Sequence, residues 1–204
     1  EKGNVRKNKL SDFVDVRANG KIAMKLHDND EIKTVETCTD DDDLLITTLK
    51  GQCIRFRASD VRLFVGRSST GVRGIRLAQD DRVISSAIIK SMSATTEERA
   101  AYLKMSRAVR GEIDSENDEN EENVENITPA ILSDEKYAEM GASEQFVLSI
   151  SNNGYGKRTS TFEYRVTGRG GKGIIAMVVN DRNGNITDSF PVDSTNQIIL
   201  VTNN

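Results

Sequence analysis

Gly71-Val72-Arg73-Gly74-Ile75 is the stretch that decides the fold, because two related boxes of glycine and basic residues occur elsewhere in the chain. They are Gly20-Lys21-Ile22-Ala23-Met24 and Gly170-Gly171-Lys172-Gly173-Ile174. Upstream of each box a second spacing recurs: a glycine, a basic residue four positions later and a bulky apolar or aromatic residue ten positions later. Its three copies are Gly3, Lys7, Phe13; Gly51, Arg55, Val61; and Gly154, Arg158, Tyr164. A recurring period of this kind predicts a repeat architecture.

The repeats predict an all-β chain built of blade-like units. Their approximate bounds are residues 1–48, 49–151 and 152–204, with an insertion at about 91–145 in the second unit. Apolar runs bounded by turn residues predict roughly four strands in each unit. The runs that favour strands most are residues 21–26, 44–46, 52–57, 83–89, 146–150 and 198–201. Asn153-Gly154 and Asn183-Gly184 predict tight turns, because Asn-Gly accepts positive φ. Units of this length fit about three blades of a propeller-like fold.

The insertion differs in composition from the rest of the chain. Thr95 and Glu98 predict a capping box that opens a helix extending to about Arg110, and a second short helix is predicted at about 133–140. Residues 111–126 contain eight acids and no base, so we expect disorder there. Residues 91–145 hold 14 acidic and 5 basic residues, against 18 acidic and 23 basic elsewhere. The net charge of −4 therefore combines a mildly basic body with an acidic insertion, whose carboxylates either form a passive loop or compete with a polyanion for the body.

The sequence favours no catalytic or metal-binding set. His27 is the only histidine and lies in a polar stretch that predicts a solvated loop. Cys38 and Cys53 lack a CxxC spacing and are expected to be reduced, buried small hydrophobes rather than a disulfide. Residues 40–43, four consecutive aspartates, lack the spacing of an EF-hand loop and predict a solvated turn. The glycine-rich residues 168–173 lack the spacing of a phosphate loop. No apolar run approaches the length of a membrane helix.

The recurring cations are the candidate functional residues. Basic residues that return in each repeat are expected to lie on one geometric track, which is what a polyanion such as duplex DNA requires. The neighbouring glycines allow backbone N–H groups to approach phosphates closely. Lys21, Arg73 and Lys172 are expected at equivalent positions, and so are Lys7, Arg55 and Arg158. The candidate DNA-binding set is Lys7, Lys21, Lys25, Arg55, Arg57, Arg67, Arg73, Arg76, Lys157, Arg158, Arg169 and Lys172, with Arg6, Lys9 and Arg62 close by.

Two interpretations of these charges stay open. They either contact phosphates, or they keep a sheet edge soluble and unpaired. The chain has no helix rich in Asn, Gln and Arg and no aromatic ladder for stacking bases, so any DNA binding is expected to tolerate sequence.

These motifs resemble a known family, the C-terminal DNA-wrapping domain of the A subunit of bacterial DNA gyrase. The likeness covers all three repeats, and the acidic insertion is not part of the general pattern. The domain of topoisomerase IV is the nearest confusable relative, and residues 153–159 favour gyrase. The stretches that carry the likeness are Thr70-Gly71-Val72-Arg73-Gly74-Ile75-Arg76-Leu77, Asn153-Gly154-Tyr155-Gly156-Lys157-Arg158-Thr159 and Gly20-Lys21-Ile22-Ala23-Met24-Lys25-Leu26.

The resemblance implies a β-pinwheel, a propeller-like disc whose basic rim wraps duplex DNA. It implies a role in negative supercoiling by an ATP-dependent type II topoisomerase, a bacterial enzyme of the cytoplasm and nucleoid. The implied partners are duplex DNA, the rest of the gyrase A subunit and the gyrase B subunit, in an A2B2 assembly. The catalytic tyrosine and the use of ATP and magnesium belong, by this resemblance, to other regions, so no cofactor is expected here. The family has about six blades, so this chain is expected to be a fragment. The alternative from a different class is a protein-interaction propeller that contacts acidic partners.

Overall fold

The computed structural model describes residues 1–66, 68–111 and 131–202. Short 3₁₀ turns lie at Leu10–Phe13, Ala58–Asp60 and Thr161–Glu163. Within the described residues no helix is long and apolar enough to cross a membrane. The strands and helices are, in chain order, β1 (Asn4–Val5), β2 (Asp42–Thr48), β3 (Gln52–Arg57), β4 (Val72–Arg73), β5 (Val83–Lys90), α1 (Thr96–Arg110), α2 (Asp134–Ser143), β6 (Phe146–Ser151), β7 (Gly156–Ser160), β8 (Ile174–Ile175) and β9 (Ile186–Val192).

The strands form three antiparallel sheets. β1 pairs with β4, the strands β5-β2-β3-β8 form a second sheet in that order, and β7-β6-β9 form a third. The predicted all-β repeat fold is confirmed, with sheets of two, four and three described strands. The unit boundaries expected at residues 48/49 and 151/152 fall in the turns of the β2–β3 and β6–β7 hairpins, so each hairpin takes one strand from either side of a boundary.

The four-stranded sheet is buried on both faces, which explains the continuous apolar run of residues 44–46. One face packs against the third sheet and the other against the first repeat, so adjacent repeats complete each other's cores. The first core contains Leu45, Cys53, Ala87, Ile89, Val147, Tyr164 and Ala176. The second contains Ile46, Ile54, Phe56, Val61, Ile75 and Val83, with Val5 and Val72 packed against it.

Backbone pairing also joins neighbouring repeats, at two joints where the backbones come very close. β4 pairs with β1 of the preceding repeat, and β8 pairs with β3 of the preceding repeat. Gly71 and Gly173 stand immediately before β4 and β8, with φ of +84° and +80°. A Cβ on either would lie under 3.0 Å from the carbonyl oxygen of Val5 or Cys53. Only glycine combines this φ with so close an approach, so these two glycines of the boxes hold the repeats together.

The helical part of the insertion is confirmed. Thr95 caps α1: its hydroxyl accepts a hydrogen bond from the Glu98 N–H, and the Glu98 carboxylate accepts one from the Thr95 N–H. The helix ends at Arg110 and is capped by Gly111, with φ of +70°. Ser133 caps α2, which runs three residues further than expected. Residues 112–130, which hold the acidic stretch and the hypotheses about it, lie outside the described residues.

Two predicted strands are wrong. Residues 21–26 and residues 198–201 form no strand among the described parts of the chain. Ile22 is 72% exposed and Ile199 is 89% exposed, and β9 rather than residues 198–201 borders β6. A strand requires a neighbour for its backbone groups, and apolar alternation does not show whether one is present.

The environments of the aspartate run and of one cysteine also differ from expectation. Asp40 and Asp41 form a turn, but Asp42 and Asp43 open β2 and are buried. Each buried carboxylate is paired with a cation, which explains why burial is tolerated. Both cysteines are free thiols, but Cys38 is exposed whereas Cys53 is buried as predicted.

Candidate nucleic-acid interface

Backbone hydrogen bonds connect the segments that contain the three glycine boxes. The Arg76 N–H donates to the carbonyl of Gly171 (2.8 Å), and the Gly170 N–H donates to the carbonyl of Gly74 (2.5 Å). The Lys25 N–H donates to the carbonyl of Ser69 (3.2 Å), which links the first box to the segment leading into the second. We call residues 20–25, 68–76 and 168–173 the box track. Its continuity means that basic residues from all three repeats lie along one connected surface.

The densest group of candidate cations lies where the second and third boxes meet. Arg73, Arg76, Arg169 and Lys172 are all exposed there. The Arg169 guanidinium is held in place because its Nε donates to the carbonyl of Asp60 (3.0 Å) and its Nη1 to the carbonyl of Arg73 (3.1 Å). Within the described ranges none of these four side chains forms an ion pair with a carboxylate. The group therefore presents four positive charges to solvent.

The cations of the boxes share a surface but not a side-chain position, which corrects the expected equivalence. Gly20, Gly71 and Gly173 have φ of +78°, +84° and +80° and mark corresponding points in the three boxes. Relative to these glycines, Lys21 is one residue later, Arg73 two residues later and Lys172 one residue earlier. Binding of a polyanion tolerates such offsets, because the long side chains of lysine and arginine can reach phosphates from different backbone positions.

Arg55 does not belong to the exposed set, which corrects its predicted role. Its side chain is 5% exposed, and its Nε and Nη2 donate to one oxygen of Asp43 at 2.8 and 2.7 Å. Its Nη1 donates to the carbonyl of Thr161 (2.7 Å). A guanidinium bound on three nitrogens inside the sheet cannot reach a phosphate, so this pair is a structural tie between β2, β3 and the turn after β7.

Lys7 and Lys21 are partly engaged with the protein itself. Lys7 corresponds to Arg55, because each forms an isolated parallel bridge with the next repeat. Its Nζ donates to Asp40 (2.5 Å) and to the carbonyl of Ala58 (2.9 Å). The Nζ of Lys21 donates to the carbonyl of Asp12 (2.5 Å). The charge of Lys7 is thus locally neutralised, whereas Lys21 forms no ion pair with a carboxylate of the described residues.

The remaining candidates differ in their surroundings. Lys25 and Arg57 are exposed, and so is Arg158, whose guanidinium lies over the ring of Phe146 with 4.4 Å from Cζ to the ring centroid. Lys157 is half-buried and interacts with another part of the protein. Arg67 lies outside the described residues.

A stacked group next to the box track could not be found by sequence reasoning. Arg6 and Arg62 both stack on the ring of Phe64, with Cζ atoms 4.9 and 4.3 Å from its centroid. Arg6 also donates through Nη1 to the carbonyl of Ser69 (2.6 Å). The sequence marks the two arginines only as nearby charges, because the stacking depends on bringing together residues from both sides of a joint.

The described residues offer little for other chemistry. His27 is exposed on a loop, and within residues 1–66, 68–111 and 131–202 no group of three His, Cys, Asp or Glu side chains could hold a metal ion. Burial raises the pKa of the Cys53 thiol to about 12, which keeps it protonated and unreactive.

Comparison with known proteins agrees with this arrangement. The family model described as the DNA gyrase C-terminal domain, beta-propeller, matches residues 1–39, 42–90 and 145–193. The chain belongs to this family. The second and third matched segments begin at residues 42 and 145, ahead of the unit starts expected at residues 49 and 152, and residues 91–144, which include α1 and α2, lie outside the matched segments.

Individual relatives support the same family. The DNA gyrase A subunit of Granulibacter bethesdensis is 42% identical over 210 residues, which cover 98% of this chain and 22% of that protein. The A subunit of Rickettsia bellii is 41% identical over 99% of the chain, and that of Mycobacterium bovis is 30% identical over 98%. The chain therefore spans about a fifth of the length of the curated relatives it matches.

Solved structures support the fold. A DNA gyrase A C-terminal domain superposes with a TM-score of 0.62 at 20% identity, covering 94% of this chain and 46% of that one. The C-terminal domain of DNA topoisomerase IV superposes with a TM-score of 0.63 at 15% identity, covering 95% of this chain and 45% of that one.

Proposed function

We propose that this chain is a DNA-bending module of a gyrase A subunit, which holds duplex DNA along the box track without reading its sequence. The observation that carries the proposal is the continuity of the boxes, which brings Arg73, Arg76, Arg169 and Lys172 together and continues to Lys25. Membership of the gyrase C-terminal domain family supports it.

The chemistry of the track suits a phosphate backbone rather than base edges. Exposed arginine and lysine side chains supply positive charge that can contact phosphates without distinguishing bases. One face of the helix α1 packs on the body of the protein, where Tyr102 lies edge-on against Phe162 with 5.1 Å between ring centroids. Contacts spread along a curved surface would bend the duplex, and the bend favours segments that deform easily.

The test is binding of a duplex of about 30 base pairs measured by fluorescence anisotropy across a salt series. Each phosphate contact contributes about −0.9 to the slope of log K against log salt. Arg73→Glu combined with Lys172→Glu should weaken binding at least tenfold and flatten the slope. The matched control is Lys104→Glu with Lys136→Glu on α1 and α2, which changes net charge equally away from the track. Equal losses in the two double variants would contradict the proposal, and binding to acidic proteins but not to DNA would favour the protein-interaction alternative.

We further propose that the bound DNA supports negative supercoiling when the chain is part of a complete gyrase. The gyrase B subunit and the rest of the A subunit would be its partners, and ATP, magnesium and the strand-cleaving residue would act from those regions, in the cytoplasm at the nucleoid. The two solved folds do not separate gyrase from topoisomerase IV, since their TM-scores are 0.62 and 0.63. Supercoiling of relaxed plasmid by the whole enzyme, lost when this region is deleted, is the gyrase outcome; relaxation alone, unaffected by the deletion, is the other.

A further inference from the structure

The helical insertion is fixed against the sheet by contacts of its first helix, although it lies outside the segments that match the gyrase family model. Tyr102 packs against Phe162, and Arg107 forms an ion pair with Glu163 at 3.8 Å. Thr161, in the same turn, accepts the hydrogen bond of the buried Arg55. These contacts fix α1 against the turn Thr161–Glu163, which in turn contacts β3 through Arg55.

A cavity of about 390 Å³ lies between the start of α1 and the end of β3. Arg55 and Arg57 approach it from the sheet, and Arg99 approaches it from α1. Hydroxyl side chains from the segment that enters the helix, among them Ser93 and Thr95, also line it. The cavity is thus bordered by three guanidinium-bearing side chains and by hydrogen-bonding groups.

The charges around the cavity do not balance. Arg55 is neutralised by Asp43, but Arg57 and Arg99 have no such buried partner within the described residues. Glu97 also lines the cavity and offsets one of these two charges. One positive charge therefore remains, and it faces the cavity.

Arg99 is the residue whose bonding is incomplete. Its Nε–H is buried, and no described atom accepts a hydrogen bond from it. Burial and the nearby charge of Arg55 both lower the pKa of Arg99, while the charge of Glu97 raises it. A buried donor without an acceptor destabilises a fold unless a ligand or water completes it. The most favourable acceptor for a guanidinium is an anionic group whose oxygens accept hydrogen bonds from two of its N–H groups.

We propose that this cavity binds a phosphodiester of the duplex DNA, held by Arg99 from the insertion and Arg57 from the sheet. The inference rests on the proposed function, since it extends the DNA path from the box track to the insertion. The link between them is short: Arg57 immediately precedes the turn Ala58–Asp60, and the carbonyl of Asp60 accepts from the track residue Arg169. The insertion thereby adds a phosphate contact instead of merely lengthening a loop.

The experiment compares Arg99→Gln with Lys104→Gln by anisotropy with the same duplex and salt series. Lys104 is exposed on the same helix and does not line the cavity, so the two variants lose the same charge. We expect Arg99→Gln to weaken binding about three- to tenfold at low salt and to reduce the salt slope by about one, whereas Lys104→Gln changes neither appreciably. Arg57→Gln, from the opposite wall, should reproduce the loss if Arg99→Gln disturbs the helix.

The outcomes are distinguishable. If the unaltered chain does not bind the duplex, the proposed function and this inference both fall. If it binds and the Arg99, Arg57 and Lys104 variants are indistinguishable from one another, only this inference is overturned. The Nε–H resonance of Arg99 in an NMR spectrum separates two phosphate sources: a shift on adding duplex supports the proposal, and a shift with pyrophosphate alone but not with duplex overturns it in favour of a small phosphate compound.

Discussion

Replacing Gly173 by alanine should destabilise the protein far more than replacing Gly20, although the two glycines have nearly the same backbone conformation. Their φ angles are +80° and +78°. At Gly173 a Cβ would lie 2.1 Å from the carbonyl oxygen of Cys53, whereas no atom of the described residues lies within 4 Å of the corresponding point at Gly20. The pair therefore separates the cost of positive φ from the cost of opening a joint between repeats.

The difference can be worked out from the contacts at the joint. Alanine at positive φ costs about 1–2 kcal/mol at either position. At Gly173 the new Cβ also forces β8 away from β3, which breaks the pairing of Ile174 with Cys53 and the bond from the Ala176 N–H to the carbonyl of Gly51. Two or three backbone hydrogen bonds at about 1 kcal/mol each add about 2–3 kcal/mol. Gly173→Ala should then lower Tm by roughly 4–12 °C more than Gly20→Ala, at about 2–4 °C per kcal/mol for a chain of this size.

The assay is thermal unfolding followed by circular dichroism, with urea unfolding as a second measure of the free energy. Gly51→Ala and Gly154→Ala form an independent matched pair, since a Cβ on Gly51 would lie 2.2 Å from the carbonyl oxygen of Met177, while a Cβ on Gly154 would meet no described atom within 4 Å. Equal losses of Tm within each pair would refute the idea that close backbone approach, rather than φ alone, requires glycine at the joints.

Three further predictions concern the four-stranded sheet and the segment beside it. Asp43→Ala should cost about 3–5 kcal/mol of unfolding free energy, because it leaves the buried Arg55 guanidinium uncompensated; urea unfolding showing less than about 1 kcal/mol would contradict the structural role of that pair. The ammonium of Lys90 on the neighbouring strand lowers the pKa of Asp42 by hydrogen bonding to its carboxylate. The ionised carboxylate therefore stabilises the fold above its unfolded pKa near 3.8, and this stabilisation is lost as the pH falls through the lower folded pKa. Asp42→Asn should consequently reduce the loss of unfolding free energy below about pH 4, and an unchanged dependence of stability on pH in this range would contradict the lowered pKa of Asp42. Cys38 should react with a thiol reagent in the native protein while Cys53 reacts only after unfolding, and one rapid equivalent followed by one slow equivalent is the expected titration.

The repeat pattern and the local signals were sufficient to predict the class of fold. Hairpin turns such as Asn153-Gly154 and the capping box of Thr95 and Glu98 depend on residues close in sequence, and they occur where expected. The strands 52–57, 83–89 and 146–150 were also correctly predicted, because their apolar runs agree with the burial that the sheets impose.

Features that depend on distant partners could not be predicted. The spacing of Lys7, Arg55 and Arg158 is regular, but Arg55 is buried because its guanidinium is paired with the carboxylate of Asp43, which lies on the neighbouring strand two positions along from the residue opposite Arg55. Residues 21–26 have the alternation of a strand, and nothing in their own sequence indicates that a pairing strand is lacking among the described residues. The cavity beside Arg99 likewise depends on how α1 packs on the turn at Thr161–Glu163, which neither segment specifies alone.

The central proposal is that the three boxes form one surface that bends DNA, and ligation of a nicked plasmid in the presence of the protein tests it most directly. After protein removal, a topoisomer gel at low and moderate salt reports any change in linking number. We predict a shift that grows with protein concentration, fades with salt and is abolished by Arg73→Glu with Lys172→Glu. An unchanged topoisomer distribution under conditions in which anisotropy shows the plasmid to be bound would contradict bending along the box track.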